Sequence, residues 1–162
     1  MLRRRSLFAA PIAGVIGMAA LGSTNGQAKE TALPRTQDLQ KLGERALANQ
    51  VPLVILASLP GCPYCELIRR SYLIPYRSEI NLQSWQLDTT DKSSLIDFAG
   101  KRTTPAQWLA SQRIKVTPTL LFLKGNGQEI APRLEGVSIP DFYGAYLDER
   151  LALAKSQLKV LP

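Results

Sequence analysis

Hydrophobic and polar positions change period several times along the chain, and each change marks an element. Leu39, Leu42, Ala46 and Leu47 recur at helical spacing, so residues 37–49 are predicted to form an amphipathic helix ended by Gln50-Val51-Pro52. Leu53 to Leu59 then reads Leu-Val-Ile-Leu-Ala-Ser-Leu, a nearly unbroken apolar run of strand length, as a strand covered on both faces requires. Pro60-Gly61 turns the chain. Cys62 to Ser71 returns to a helical pattern, with Leu67 and Ile68 apolar and Glu66, Arg69 and Arg70 polar, and Pro75 is expected to kink or end that helix.

Alternation around Trp85 and Leu87 predicts a second strand over Leu82 to Asp88, followed by an insertion of undefined type, Asp88 to Lys101, carrying Leu95, Ile96 and Phe98. Thr104-Pro105-Ala106-Gln107 has the form of a helix start, with Thr104 as cap, Pro105 in the first turn, and Trp108 and Leu109 directed to the core. Val116 to Leu123 and Gln128 to Leu134 flank Gly125-Asn126-Gly127 as a hairpin, and Pro132 assigns the second strand to a sheet edge. A last helix is predicted over Ile139 to Lys159, capped through Ser138 and Asp141, burying Phe142, Tyr143, Tyr146, Leu147 and Leu151. The order helix, strand, helix, strand, helix, strand, strand, helix implies an α/β domain with a mixed sheet flanked by helices.

Composition changes this picture at the N-terminus. The 162 residues carry a formal charge of +7, yet Arg3, Arg4 and Arg5 precede a weakly hydrophobic run, Leu7 to Leu21, and a polar stretch ending Gly26-Gln27-Ala28. This is the pattern of a secretory signal peptide with cleavage expected after Ala28. The apolar run, about 15 residues, is short of the roughly 20 that cross a bilayer. Arg4-Arg5-Ser6-Leu7-Phe8 resembles a twin-arginine signal, and the route, general secretory or twin-arginine, stays open. Residues 1–28 are thus assigned to the leader, 29–36 to a polar linker and 37–162 to one domain. Export implies a periplasm, where dithiols can be oxidised. The remaining chain is mildly basic and shows no footprint for nucleic acid.

The candidate chemistry is Cys62-Pro63-Tyr64-Cys65, at the junction of the buried strand and a helix. The chain has two cysteines and no histidine, which excludes a multi-disulfide framework, a His-based triad and a His-ligated metal. If Cys62 caps the helix, its sulfur meets unsatisfied N–H groups and the positive end of the helix dipole, both favouring the thiolate nucleophile. Cys65, one turn later on the same face, is placed to resolve a mixed disulfide formed on Cys62. Pro63 suits the first helical position. The alternatives are a static disulfide, although one closing so short a loop removes little chain entropy, and a two-thiolate copper(I) carrier. Both methionines, Met1 and Met18, lie in the leader, so no further soft ligand remains.

The buried strand, the Cys-Pro-Tyr-Cys helix start and the later Val116-Thr117-Pro118-Thr119 resemble the thioredoxin superfamily over roughly Gln37 to Leu151. With the signal peptide, the insertion around Leu95 to Lys101 and the Gly-Asn-Gly hairpin, the likeness is to secreted bacterial thioredoxin-like proteins of the SoxW and disulfide-interchange type. The resemblance implies a thioredoxin fold with a small insertion before the third helix. It also implies a cis-Pro118 opposite Cys62, a Thr117 backbone that pairs with a substrate strand, and substrate contacts from Pro63 and Tyr64. It implies a thiol-disulfide oxidoreductase that needs no cofactor, with protein disulfides as substrates, a membrane electron donor, a monomeric state and reduction favoured over oxidation or isomerisation. The Cys-Pro-Tyr-Cys tetrapeptide also occurs in glutaredoxins, whose glycine pair and following acid are not found here. Two positions depart from thioredoxin: Gly61 stands where a tryptophan is expected, and Leu56 where a buried acid assists the resolving thiol. Glu66 is a weak candidate for that base, since it projects from the next helical position.

Overall fold

The computed structural model describes residues 32–160. Strand β1 (Leu53–Ser58) lies at the centre of a four-stranded sheet in the order β2 (Ser84–Asp88), β1, β5 (Thr119–Leu123), β6 (Glu129–Glu135). β1 runs parallel to β2 and antiparallel to β5, which pairs antiparallel with β6. The unbroken apolar run of β1 follows from this position, because both of its faces are covered. Val54 and Leu56 point to one side, into a core of Leu120, Phe122, Ile68, Leu73, Tyr143 and Leu147. Leu53, Ile55 and Ala57 point to the other, where Leu39, Leu42, Trp85, Trp108 and Leu109 pack.

Helix α1 (Leu39–Asn49) is capped by Asp38, whose carboxylate accepts from the Lys41 N–H at 2.9 Å, and ends at Gln50 in the left-handed conformation. Its face carries Gly43 against Gly125 of the β5–β6 turn, so closely that a Cβ on Gly43 would stand 1.9 Å from the Gly125 carbonyl oxygen. The helix over the opposite face starts as α2 (Pro63–Ile68), passes through a π-helical turn at Arg69–Leu73 and continues as α3 (Ile74–Ile80). Pro75 was expected to kink or end this helix, and it does not end it: the widened turn, in which the Ile74 N–H reaches back to the Arg69 carbonyl, lets the helix run on past a residue that has no N–H to donate.

The insertion of undefined type is a small hairpin, β3 (Leu95–Ile96) and β4 (Arg102–Thr103), closed around Asp97, whose carboxylate accepts from the Ala99 and Lys101 N–H groups. Helix α4 (Pro105–Ser111) follows, with Thr104 accepting from the Gln107 N–H at 3.2 Å as its cap. Pro132 sits in the edge strand β6.

Three expectations need correction. A 3₁₀ turn (Pro140–Phe142) precedes the last helix, α5 (Tyr143–Val160), and neither Ser138 nor Asp141 caps it. Tyr143, Leu147 and Leu151 are buried as expected, whereas Phe142 and Tyr146 are exposed: the turn rotates Phe142 off the buried stripe, which continues through Ala154. The stretch assigned to a polar linker is part of the fold where it is described. Leu33 joins the core, the Pro34 carbonyl accepts from the Gln86 N–H at 2.9 Å, and Arg35 bridges to Gln86 along the free edge of β2. The leader lies outside the described residues.

Candidate active site

The site forms where β1 ends. Leu59-Pro60-Gly61 turns the chain, with Gly61 at φ +76° and open space around it, and delivers Cys62 to the start of α2. Cys62 is the N-cap. It has extended backbone, its sulfur accepts from the Cys65 N–H at 3.2 Å, and Pro63 occupies the first turn. The sulfur is also within 3.9 Å of the Thr117 carbonyl and 4.0 Å of the Thr117 hydroxyl, which reaches it from the loop before β5. The Thr117–Pro118 peptide bond is cis, and the Pro118 carbonyl is held by the Gly136 N–H at 2.8 Å. The residues singled out in the sequence thus converge: Cys62 as the cap of α2 with Pro63, Tyr64 and Cys65 in its first turn, Thr117 and Pro118 across from them. Cys62 is partly exposed and Cys65 fully buried, and the two are free thiols.

Their environments push the two thiols apart. Partial burial of Cys62 acts upward, but hydrogen bonds from the Cys65 thiol and N–H, the Thr117 side chain and the Tyr64 N–H outweigh it and hold Cys62 below the ordinary cysteine value. Burial pushes Cys65 up, reinforced by its hydrogen bond with Cys62; the Leu59 backbone and the Ser58 side chain oppose this only in part. The arrangement is a partly exposed sulfur that ionises below the ordinary cysteine value beside a buried one that holds its proton above it, which is what nucleophilic attack followed by internal resolution requires.

A family model described as a thioredoxin-like domain matches residues 39–150. The chain belongs to the thioredoxin-like family. Among solved structures, this thioredoxin-like domain is similar to a poplar thioredoxin h mutant, at 22% identity over 76% of this chain and 77% of that one, with a TM-score of 0.48. It is also similar to the reduced periplasmic thioredoxin SoxS from Paracoccus pantotrophus, at 19% identity over 64% and 98% of the two chains, with a TM-score of 0.43. A chain from a study of thiol resolution in yeast mitochondrial 1-Cys peroxiredoxin via the glutathione and thioredoxin systems aligns at 13% identity over 77% and 98%, with a TM-score of 0.50. At these identities the likeness is one of fold. Comparison with curated proteins gives no match.

Around Cys62 the thioredoxin-like domain exposes Leu59, Tyr64 and Val116, at 41%, 54% and 45%, so the sulfur opens onto an apolar rim. Beside it lies a cavity of about 400 Å³. Its floor holds a polar chain not foreseen from the sequence. Arg35 pairs with Asp88 at 2.6 Å, Asp88 accepts from Gln86 at 2.7 Å, and Gln86 accepts from Arg69 at 2.7 Å. Arg69 pairs in turn with Glu66. The only sequence signal was a helical repeat, Arg69 falling one turn beyond Cys65, and it does not say what stands opposite. Glu66 is taken up by Arg69 and Arg70. Leu56 is fully buried in the core, and among the described residues no group of three or more Cys, Asp or Glu could hold a metal.

Proposed function

We propose that this protein is a thiol-disulfide oxidoreductase in which Cys62 attacks and Cys65 resolves. The observation that carries the reading is the Cys62 sulfur at the N-cap, accepting from the Cys65 N–H and favoured as thiolate. The thiolate attacks one sulfur of a substrate disulfide, the substrate S–S bond breaks, and its other sulfur leaves as a thiolate that takes a proton from water. The Cys65 thiol loses its proton, its sulfur attacks Cys62, and the second substrate thiolate departs, leaving a Cys62–Cys65 disulfide. Thr117 and Pro118 line the groove in which the substrate backbone lies, while Pro63, Tyr64 and the apolar rim contact the flanking substrate.

The leader motif supports export to a periplasm, and no helix among the described residues is long and apolar enough to cross a membrane. Reduction of protein disulfides is the favoured direction, with a membrane donor restoring the dithiol. Insulin reduction tests the activity and equilibration with a glutathione redox buffer tests the direction. Turnover abolished in Cys62→Ser and a low potential are expected. Full turnover in that variant would refute the nucleophile, and a high potential would make the protein an oxidant.

A further inference from the structure

The cavity beside Cys62 is walled by two arginines and two acids, and they are not equally committed. Arg69 is spent: Nε donates to Gln86, Nη1 pairs with Glu66 and Nη2 donates to Ser58. Both acids are spent too. Asp88, 5% exposed, meets Gln86 with Oδ1 and Arg35 with Oδ2, while Glu66 gives one oxygen to Arg69 and the other to Arg70. Asp91, the next acid along the chain, accepts from the Ser93 N–H at 2.8 Å. Arg35 is different. Its Nη2 pairs with Asp88 at 2.6 Å, its side chain is 62% exposed, and among the described residues Nε and Nη1 have no partner. The backbone beneath it is fixed, because the Pro34 carbonyl accepts from the Gln86 N–H and Arg35 bridges to the edge of β2. The largest hydrogen-bonding capacity left over in the cavity is therefore a donor's, carried on a cation.

We propose that this cavity is a subsite for an acidic residue beside the cysteine of a protein substrate, and that Arg35 is the residue that selects it. The inference rests on the thiol-disulfide reading above and names a substrate class for it. Cys62 and Pro63 line the cavity together with Arg35, so a side chain next to the substrate sulfur on Cys62 has this space to enter. At about 400 Å³ it has the volume of a small ligand pocket. A carboxylate there meets Nε or Nη1 in a charge-assisted hydrogen bond, the pairing a guanidinium favours. A lysine or arginine would meet only carboxylate oxygens already engaged, and would face the charge of Arg35. The redox chemistry is unchanged: the Cys62 thiolate attacks the substrate S–S bond, one half leaves as a thiolate, and Cys65 then attacks Cys62 and frees the acidic half as the second thiolate.

The test measures selectivity. The full reduced protein is mixed with the symmetric disulfides of two short blocked peptides, Gly-Cys-X-Gly and Gly-X-Cys-Gly, in which X is aspartate, asparagine or lysine. Rate constants come from acid quenching and alkylation, each divided by the rate of the same disulfide with dithiothreitol to remove its intrinsic reactivity. Aspartate is expected to react faster than asparagine, and asparagine faster than lysine, in at least one of the two series. The aspartate-to-asparagine ratio should be about two- to fivefold, the size of a partly exposed ion pair. It should fall to near one in Arg35→Gln, and also in about 1 M salt, where charges are screened beyond about 3 Å. Arg35→Lys, which keeps a cation, should retain part of it. A ratio is insensitive to a general loss of activity, and the salt series needs no variant, so it serves if Arg35→Gln does not fold. No aspartate preference in either series, a preference for lysine, or an aspartate preference that persists in Arg35→Gln would overturn the assignment. If none of the peptides, asparagine included, oxidises the dithiol, the thiol-disulfide reading itself fails, a result separable from the first.

Discussion

Replacing Cys62 with Ala and with Ser separates its two roles, helix cap and ionisable nucleophile. In the reduced protein its sulfur satisfies the Cys65 N–H at 3.2 Å, at the start of a helical stretch that runs without a break from Pro63 to Ile80. Cys62→Ala leaves that N–H without its partner, and losing an N-cap acceptor costs about 0.5–2 kcal/mol. A negative charge at a helix N-terminus adds about 0.3–1 kcal/mol, taken at the low end here because the sulfur is partly exposed and screened. The sign of the pH dependence follows from the direction of the shift. Cys62 ionises more readily folded than unfolded, so its contribution is fully present above the unfolded value, 9.0, and is lost as pH falls through the lower folded value. The stability gap between the unmodified protein and Cys62→Ala is therefore expected to widen by a few tenths of a kcal/mol as pH rises from neutral toward 9.0. Cys62→Ser keeps an acceptor without titrating in this range, so it should lie above Cys62→Ala by a roughly constant amount. Urea unfolding under reducing conditions, at closely spaced pH values, measures all three. A gap that stays constant or narrows toward alkaline pH would refute the claim that the helix start stabilises a thiolate.

Other expectations follow from the same structure. Gly43→Ala should be destabilising by about 1–2 kcal/mol in urea unfolding: a helix interior gains about 1 kcal/mol from Ala, but overpacking costs about 1–3, and a backbone oxygen 1.9 Å from the new Cβ puts it at the upper end. A stability equal to or above that of the unmodified protein would show that α1 can shift freely from the β5–β6 turn. Removing residues up to Thr36 deletes buried Leu33 and uncovers the edge of β2, so a loss of about 2 kcal/mol is expected; an unchanged unfolding midpoint would mean the segment is only an appendage. Cys65, with its folded value raised, contributes stability that is present below 9.0 and lost as pH rises through that higher value, so Cys65→Ser should flatten the alkaline decline of the reduced protein in the same assay.

What was legible in the sequence is what local chemistry decides. The period of Leu39 to Leu47, the two-sided burial implied by Leu53 to Leu59, and the Thr104 and Pro63 helix starts each depend on near neighbours, and the structure has these elements. The juxtaposition of Thr117 and Pro118 with Cys62 could be read only through a family resemblance, since no spacing tells which loop faces a helix start. Pro75 does not end the helix because a proline's missing N–H is costly only if the helix keeps its ordinary pitch; a π turn removes the conflict. The linker misled because Leu33 is buried in the core and the Pro34 carbonyl accepts from the Gln86 N–H of β2, partners far along the chain that composition does not reveal. Phe142 and Tyr146 have apolar character, but the turn at Pro140–Phe142 sets which side of α5 they share. The Arg35–Asp88–Gln86–Arg69 chain joins three separate segments, each unremarkable alone.

The claim beneath all of this is that one sulfur is ionised and accessible while its neighbour is neither. It is tested most directly by alkylating the reduced native protein with iodoacetamide over a range of pH and assigning the modified residue by mass spectrometry. Modification of Cys62 with a midpoint below 9.0, and protection of Cys65 throughout that range, is the expected result. A midpoint at or above that value, or earlier modification of Cys65, would contradict the account.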